Sequence, residues 1–229
     1  MYICYMKHRI LLFSCLLSLS AAFTLQAQSV AELAQEGDII FQQLPCGELC
    51  ENIARVTPSR PGFTFQHAGL ILKEGEALYV VESIGAGVQK TPLDSFLWRG
   101  RRRYLANDGV ALARFKPKGM QKKSALAARM ALEYLGAPYD DAFLPDGNAL
   151  YCTELIQMVY RRSGLGKQIP SAPMTFKDPA TGETFPGWKT YYDSMQMVVP
   201  EGLPGTNPGR FSLNKNLRFL FPERAVKAR

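Results

Sequence analysis

The stretch FTFQHAGLILKEGEALYVVESI, residues 63–84, decides the fold class. Phe63–Leu72 and Ala77–Ile84 are rich in β-branched and aromatic residues, and the polar run Lys73-Glu74-Gly75-Glu76 separates them. That pattern predicts a β-hairpin. A two-residue turn at Glu74-Gly75 pairs Lys73 with Glu76 and sets His67 directly opposite Glu82. Opposed residues share a sheet face, with Cβ atoms about 4.5–5.5 Å apart. Gly69, Ile71, Leu78 and Val80 complete that face, so an imidazole and a carboxylate meet on an otherwise apolar surface. A slip of one residue would send Glu82 to the other face.

Outward from the hairpin, Gly37–Phe41 (GDIIF) reads as a short buried strand and Cys46–Val56 as a helix closed by Pro58. Gly85 and Gly87 turn the chain into a further strand, GVQKTPL, and Tyr104–Phe115 supplies another. Met120–Leu135 has Leu126, Met130 and Leu135 at helical spacing and stops at Gly136-Ala137-Pro138. Tyr151–Ser163 is a second such helix, ended by Gly164. The segment 171–208, rich in Pro, Gly and Thr, is expected to be mostly loop, and a strand over Phe211–Phe219 closes the sheet. Strands packed against a few helices, without strict alternation, indicate an α+β fold with an antiparallel sheet.

The N-terminus reads as a secretory signal peptide over residues 1–27. Lys7, His8 and Arg9 precede a short apolar core, Ile10–Leu19, and small and polar residues lead to a cleavage point after Ala27 or Gln28. Phe13 and the brevity of the apolar run before Cys15 argue against a lipoprotein. No segment reaches the ~20 apolar residues of a transmembrane helix. The mature chain, residues 28–229, is therefore expected to be one domain, exported to the periplasm or the extracellular space. The formal net charge is +7, or +5 once Lys7 and Arg9 are set aside. The cluster Arg99, Arg101, Arg102, Arg103 reads as a solvated turn, or as a docking patch for an anionic group or membrane surface. No nucleic-acid motif is present, and nucleic acid is not an expected partner.

Removing the leader leaves Cys46, Cys50 and Cys152, an odd count outside the cytosol, and one histidine, His67. Cys46 and Cys50 could bridge, although a helical backbone there would strain the bond. On the helix from Tyr151, Cys152 shares a face with Leu155, Ile156 and Val159. It sits in the first turn, where the dipole and free N–H groups favour a thiolate. Its own N–H could donate to a developing oxyanion. A first-turn cysteine, a lone histidine and a facing carboxylate form a nucleophile, a base and an orienting group. Each taken singly has a plainer reading as a core residue. Asp38 reads as a turn organiser, and Glu154 as a first-turn carboxylate that stabilises the helix dipole. A zinc site of Cys46, Cys50, His67 and Cys152 is permitted by spacing, but no second close ligand pair accompanies the first. No metal or cofactor is expected.

GDIIF followed by QHAGLIL resembles the NlpC-type cell-wall peptidase superfamily. In that family the nucleophilic cysteine usually precedes those strands, whereas here the helix YCTELIQMVY follows them, shortly after LGAPYD. That order resembles the circularly permuted branch, the papain-like amidases of the YaeF/YiiX type. The resemblance covers residues 37–164. It implies a permuted papain-like fold with Cys152 as nucleophile, His67 as base and Glu82 as third residue. Tyr139 matches the tyrosine that the family places beside the site, in a substrate-binding or oxyanion role. The implied activity is a cysteine amidase or peptidase acting on cell-wall peptides or N-acyl amino acid conjugates. A lipid acyl hydrolase or acyltransferase on the same triad is the alternative enzyme, and Phe143, Leu144 and Trp188 would then form an exposed apolar rim. A non-catalytic module that binds acylated ligands is the alternative outside enzymes.

Overall fold

The apolar runs on either side of the 73–76 turn pair with one another, but two residues out of step with the expected register. Strand β2 (His67–Glu74) and strand β3 (Ala77–Ile84) are antiparallel, with Glu74 opposite Ala77, so the turn is Gly75-Glu76. Gly75 has φ 59°, and a type II′ hairpin turn wants glycine at its first central position. The alternative, Glu74-Gly75, would have put a glutamate there. The residue opposite Glu82 is consequently Gly69 rather than His67. A shift of two preserves side-chain parity, and His67 and Glu82 remain on one face as diagonal neighbours.

In the computed structural model residues 30–101, 109–147 and 149–221 are described, and the expected signal peptide, residues 1–27, lies outside them. The chain divides at Ala34; residues 30–33 form a helical turn of the first unit, and the second unit carries everything that follows. Its sheet has six strands in the order β4-β3-β2-β1-β5-β8, every neighbouring pair antiparallel. Here β1 is Ile39–Gln42, β4 Gly87–Pro92, β5 Val110–Phe115 and β8 Leu217–Phe221. Of the expected strand Tyr104–Phe115, residues 104–108 lie outside the described residues. Phe211, expected in the last strand, belongs instead to a short helix, Pro208–Ser212.

One sheet face presents Phe41, Leu70, Leu72, Val81, Ala113 and Phe115 to two helices, α3 (Lys118–Met130) and α4 (Cys152–Ser163). The inward face of α4 is the expected one, with Leu155, Ile156 and Val159 buried, and Gly164 ends it in the left-handed conformation. The face of α3 is not. Of the three expected residues only Met130 packs on the core; Leu126 and Leu135 are exposed, and Ser124, Ala127, Ala128 and Ala131 are buried in their place. The helix lies against the entry to β1, where a Cβ on Gly37 would come 2.2 Å from the Ala125 nitrogen. Ser124 Oγ donates to the Gly37 carbonyl at 2.6 Å. Backbones this close admit only small side chains.

Two further helices flank the site. Helix α1 is Glu48–Val56, and α2 is Leu93–Arg101. Cys46 precedes α1 and bridges to Cys50 at a Cα separation of 5.3 Å. The feared helical strain does not arise, because Gly47 (φ 66°) turns the chain between Cys46 and the helix. The expected loop 171–208 contains helix α5 (Pro186–Ser194), with proline in its first turn. It also contains a two-strand ribbon, β6 (Ala172–Pro173) with β7 (Pro204–Gly205). Trp188 and Tyr192 of α5 pack with Val56 and Phe176 in a second apolar cluster, and Trp188 Nε1 donates to the Asn52 carbonyl at 3.1 Å.

A Cβ on Gly69 would lie 2.4 Å from Val80 Cγ1 and 3.3 Å from Glu82 Cβ. Gly69→Ala should therefore destabilise the protein by about 1–3 kcal/mol and displace Glu82. Thermal unfolding checks the first effect, and an unchanged midpoint would refute the close approach.

Candidate active site

Glu82 lies in the centre of β3 and is fully buried. With Gly69 opposite it, no side chain projects from the facing position, and the carboxylate reaches diagonally to His67, whose Nε2 lies 2.5 Å from Oε2. On the other side it reaches diagonally to β4, where Thr91 Oγ1 donates to Oε1 at 2.6 Å. From α2, Arg99 donates to both carboxylate oxygens, at 2.7 and 3.0 Å. This two-pronged, charge-assisted contact is the strong kind. Gln42, paired with His67 across β1 and β2, holds the Phe96 carbonyl of α2 through Nε2 at 2.7 Å and accepts from Arg99 at 3.3 Å. Burial works against the charged carboxylate, but the hydrogen bond and charge of His67, followed by those of Arg99, hold Glu82 at about 2.

Among the described residues Cys152 is the free thiol, buried at the start of α4. His67 stands at the first position of β2, with Cys152 close enough to favour its protonated ring. With Nε2 committed to Glu82, the nitrogen left for the thiol is Nδ1. Burial disfavours the imidazolium; the Cys152 hydrogen bond, the Glu82 hydrogen bond and the charges of both outweigh it and push His67 up to about 9. The structure thus brings Cys152, His67 and Glu82 together, with His67 hydrogen-bonded to Glu82, although the direct opposition read from the hairpin is replaced by a diagonal.

Tyr139 joins them through the LGAPYD segment. Gly136 N–H donates to the Val88 carbonyl and Val88 N–H to the Ala137 carbonyl, both at 2.9 Å, so the segment seals the outer edge of β4. Tyr139 then lines the same cavity as Cys152. Burial, then the charge of Cys152 and of Asp141, raise the Tyr139 hydroxyl well above its ordinary value, so it remains a donor at neutral pH.

That cavity has a volume of about 90 Å³ and mostly apolar walls, among them Ile53, Val56, Phe143, Met174, Phe176 and Trp188. For scale, a cavity of about 150 Å³ holds a benzene ring, so this one suits a side chain or the end of an acyl chain. Phe143 has φ 54°, a costly conformation for a bulky residue. Asp140 imposes it by accepting the N–H groups of Ala142 and Leu144 at 2.9 and 2.7 Å, and Phe143 packs edge-on to Trp188. The exposed rim expected of Phe143, Leu144 and Trp188 is not formed. Trp188 is buried, and Leu144 does not line the cavity.

The remaining candidates sort by their contacts. Asp38 organises its turn, accepting the Gln35 N–H at 2.8 Å and two Arg114 nitrogens at 2.7 Å. Glu154 lies in the first turn of α4, but burial and nearby Asp140 raise it to about 7. A full negative charge on the dipole is therefore not maintained at neutral pH. Cys46 and Cys50 are tied up in their disulfide, which removes two of the four zinc ligands. Arg99 is neither a solvated turn residue nor part of a docking patch, because it holds Glu82; Arg102 and Arg103 lie outside the described residues. Sequence reading missed Arg99, Thr91 and Gln42 as site residues. The available signal was spacing, since Arg99 stands three after the buried Phe96 and Thr91 two after Gln89, the residue that pairs with Glu82.

Comparison with known proteins agrees with this architecture. Residues 33–221 match the model of the permuted papain-like amidase enzyme family YaeF/YiiX, C92 family. The uncharacterized protein YiiX of Escherichia coli (strain K12) is 30% identical over 165 residues, which cover 72% of this chain and 71% of that protein. A crystal structure described as that of the metalloprotein YiiX from Escherichia coli O157:H7 superposes with a TM-score of 0.64 at 23% identity. It covers 81% of this chain and 96% of its own.

Replacing Arg99 tests the support of the buried carboxylate. Arg99→Met should cost up to about 3 kcal/mol, because it leaves a buried charge short of a partner. Arg99→Lys should cost less, since it keeps the charge and loses only the fork. Urea unfolding checks both, and an Arg99→Met protein as stable as the parent would remove Arg99 from the account.

Proposed function

Because the chain belongs to the permuted papain-like amidase family of the YaeF/YiiX type, a family of cysteine amidases and peptidases, we propose that it hydrolyses amide bonds with Cys152 as nucleophile, His67 as base and Glu82 as the residue that orients the imidazole. The observation that carries the reading is the buried His67–Glu82 pair beside Cys152, set against an apolar cavity. The proton that His67 holds is the one given up by the Cys152 thiol, and the thiolate attacks the amide carbon. The C–N bond breaks, the amine leaves with the proton from His67, and a thioester to Cys152 remains. Water, deprotonated by His67, attacks the thioester, the C–S bond breaks, and the acid and the thiol are released. The Cys152 N–H at the head of α4 has no partner within the helix and, with the Tyr139 hydroxyl, would stabilise the tetrahedral oxyanion. A negative Glu82 favours the imidazolium that forms at each proton transfer, and Arg99 keeps Glu82 charged.

The substrates proposed are cell-wall peptides or N-acyl amino acid conjugates that place a slender apolar group in the cavity. The enclosed position of Trp188 supports this over a lipid-surface enzyme, for which an exposed apolar rim was the expected mark. A thiol paired with a base supports an enzyme over a binding module, which needs neither. The related YiiX structure is described as a metalloprotein. Here no group of three or more His, Cys, Asp or Glu among the described residues could hold a metal ion, and two of the three mature cysteines are disulfide-bonded. The residues present do not fit a metal centre, and no step is routed through one. Export is part of the proposal. The leader composition supports it, and so does the Cys46–Cys50 disulfide, a bond that persists in oxidising compartments. Among the described residues no helix is long and apolar enough to cross a membrane.

Cys152→Ala should abolish amide hydrolysis and leave the fold intact. Cys46→Ser should keep activity while losing about 2 kcal/mol of stability. Comparable activity losses in the two variants would overturn the assignment of the nucleophile. Glu82→Gln should lower kcat with little change in KM, and by less than His67→Ala or Cys152→Ala. Full activity in Glu82→Gln would make that carboxylate a bystander.

A further inference from the structure

The cavity beside Cys152 contains one charged residue in its wall, Arg210. A second cavity, of about 380 Å³, shares Thr206, Asn207 and Arg210 with the first, and adds Lys167 and Lys215. Among the described residues no aspartate or glutamate lines either cavity. Arg210, Lys167 and Lys215 are all exposed, and among the described residues none of them enters an ion pair. By contrast, Arg55, Arg99, Arg114, Arg129 and Arg162 each have a carboxylate partner. Three cations without an ion pair therefore lie along the two adjoining cavities beside the candidate nucleophile.

The shared wall is anchored to the thiol's own helix. Thr206 N–H donates to the Tyr151 hydroxyl at 3.0 Å, and Thr206 Oγ1 lies 2.9 Å from Thr153 Oγ1, so both neighbours of Cys152 hold it. Asn207 Oδ1 accepts the Arg210 N–H at 2.7 Å, which fixes the backbone that carries the guanidinium. Beyond it, Asn214 and Asn216 are locked to Gln168 by hydrogen bonds of 2.6 and 2.8 Å and give the second cavity a polar wall. The groove thus runs from an apolar end at Trp188 and Phe143, past the thiol, to a cationic end.

We infer that the groove shared by Arg210, Lys167 and Lys215 is a carboxylate subsite, and that the substrate cleaved at Cys152 is an N-acylated amino acid or peptide with a free carboxylate on its leaving-group side. The inference rests on the reading of Cys152 as nucleophile. The acyl part fills the apolar cavity, and the carboxylate of the departing amino acid meets Arg210, whose planar fork matches its two oxygens. The two lysines add a field of the same sign that draws anions to the groove. Hydrolysis consumes one water, breaks the C–N bond and releases the fatty or peptidyl acid and the free amino acid.

The test compares N-hexanoyl-L-alanine with N-hexanoyl-L-alaninamide, which differ only in that charge. The wild-type protein should prefer the acid by about fivefold or more in kcat/KM, the scale of one partly solvated ion pair. Arg210→Gln should erase the preference by raising KM for the acid. A preference that survives in Arg210→Gln, or its absence in the wild type, overturns the subsite. Cleavage of N-hexanoyl phosphoethanolamine in preference to the acid also overturns it, and assigns the groove to phosphate. Failure to cleave any of them counts against the proposed hydrolysis, and calorimetry on Cys152→Ala protein then decides the subsite separately. Tighter binding of the acid than of the amide, lost on adding Arg210→Gln, upholds it. Equal binding, or none, refutes it.

Discussion

A carboxylate with no solvent exposure is costly unless every face of it is paired, and the structure is organised around meeting that condition at Glu82. Three elements supply the partners: β2 through His67, β4 through Thr91, and α2 through Arg99. Each contact constrains an element, not only a side chain. The hairpin register puts glycine opposite Glu82 so that the carboxylate can reach past it. Helix α2 must bring a guanidinium down onto the sheet, and Gln42 of β1 ties that helix to the strand bearing His67. The same pairing keeps Glu82 charged, and a charged Glu82 is what gives a buried imidazole reason to hold its proton.

The second constraint is chain order. The histidine strand comes about eighty residues before the cysteine helix, so no local geometry brings them together. The LGAPYD segment does so by adding to the edge of β4 through Val88 and then directing the chain back across the hairpin. The Leu150 N–H donates to the Pro138 carbonyl at 2.9 Å, and the Ser83 hydroxyl donates to the Leu150 carbonyl. The residue two before Cys152 is thereby docked on the strand that carries Glu82. Gly87 lets the segment approach, since a Cβ there would lie 2.0 Å from the Ala137 oxygen.

What was legible in the sequence was what depends on periodicity. The hairpin, the shared face of His67 and Glu82 and the inward face of the Cys152 helix all follow from alternation or from helical spacing. The register was not legible, because it turned on which of two adjacent pairs would form the turn, and the backbone demand for positive φ chose Gly75. The α3 face was misread because close backbone packing at Gly37 reversed the usual preference and buried serine and alanine while leaving Leu126 and Leu135 in solvent. Helix α5 was hidden by the prolines and glycines around it; its stability comes from Trp188 and Tyr192 packing on α1, a contact more than a hundred residues distant in sequence. Arg99 was lost in a run of arginines whose composition advertised solvent. Its partner is set by the tertiary fold.

Glu82 and Cys152 together favour the protonated form of the His67 ring. The most direct measurement is the pH titration of the His67 ring by NMR, with its resonances identified by their loss in His67→Gln. In the wild-type protein the ring should keep its proton until the pH approaches about 9. The midpoint should fall in Glu82→Gln and in Cys152→Ala, because each removes a group that favours the imidazolium. A ring that titrates near the ordinary histidine value of about 6.5, with the same midpoint in all three proteins, would contradict the account.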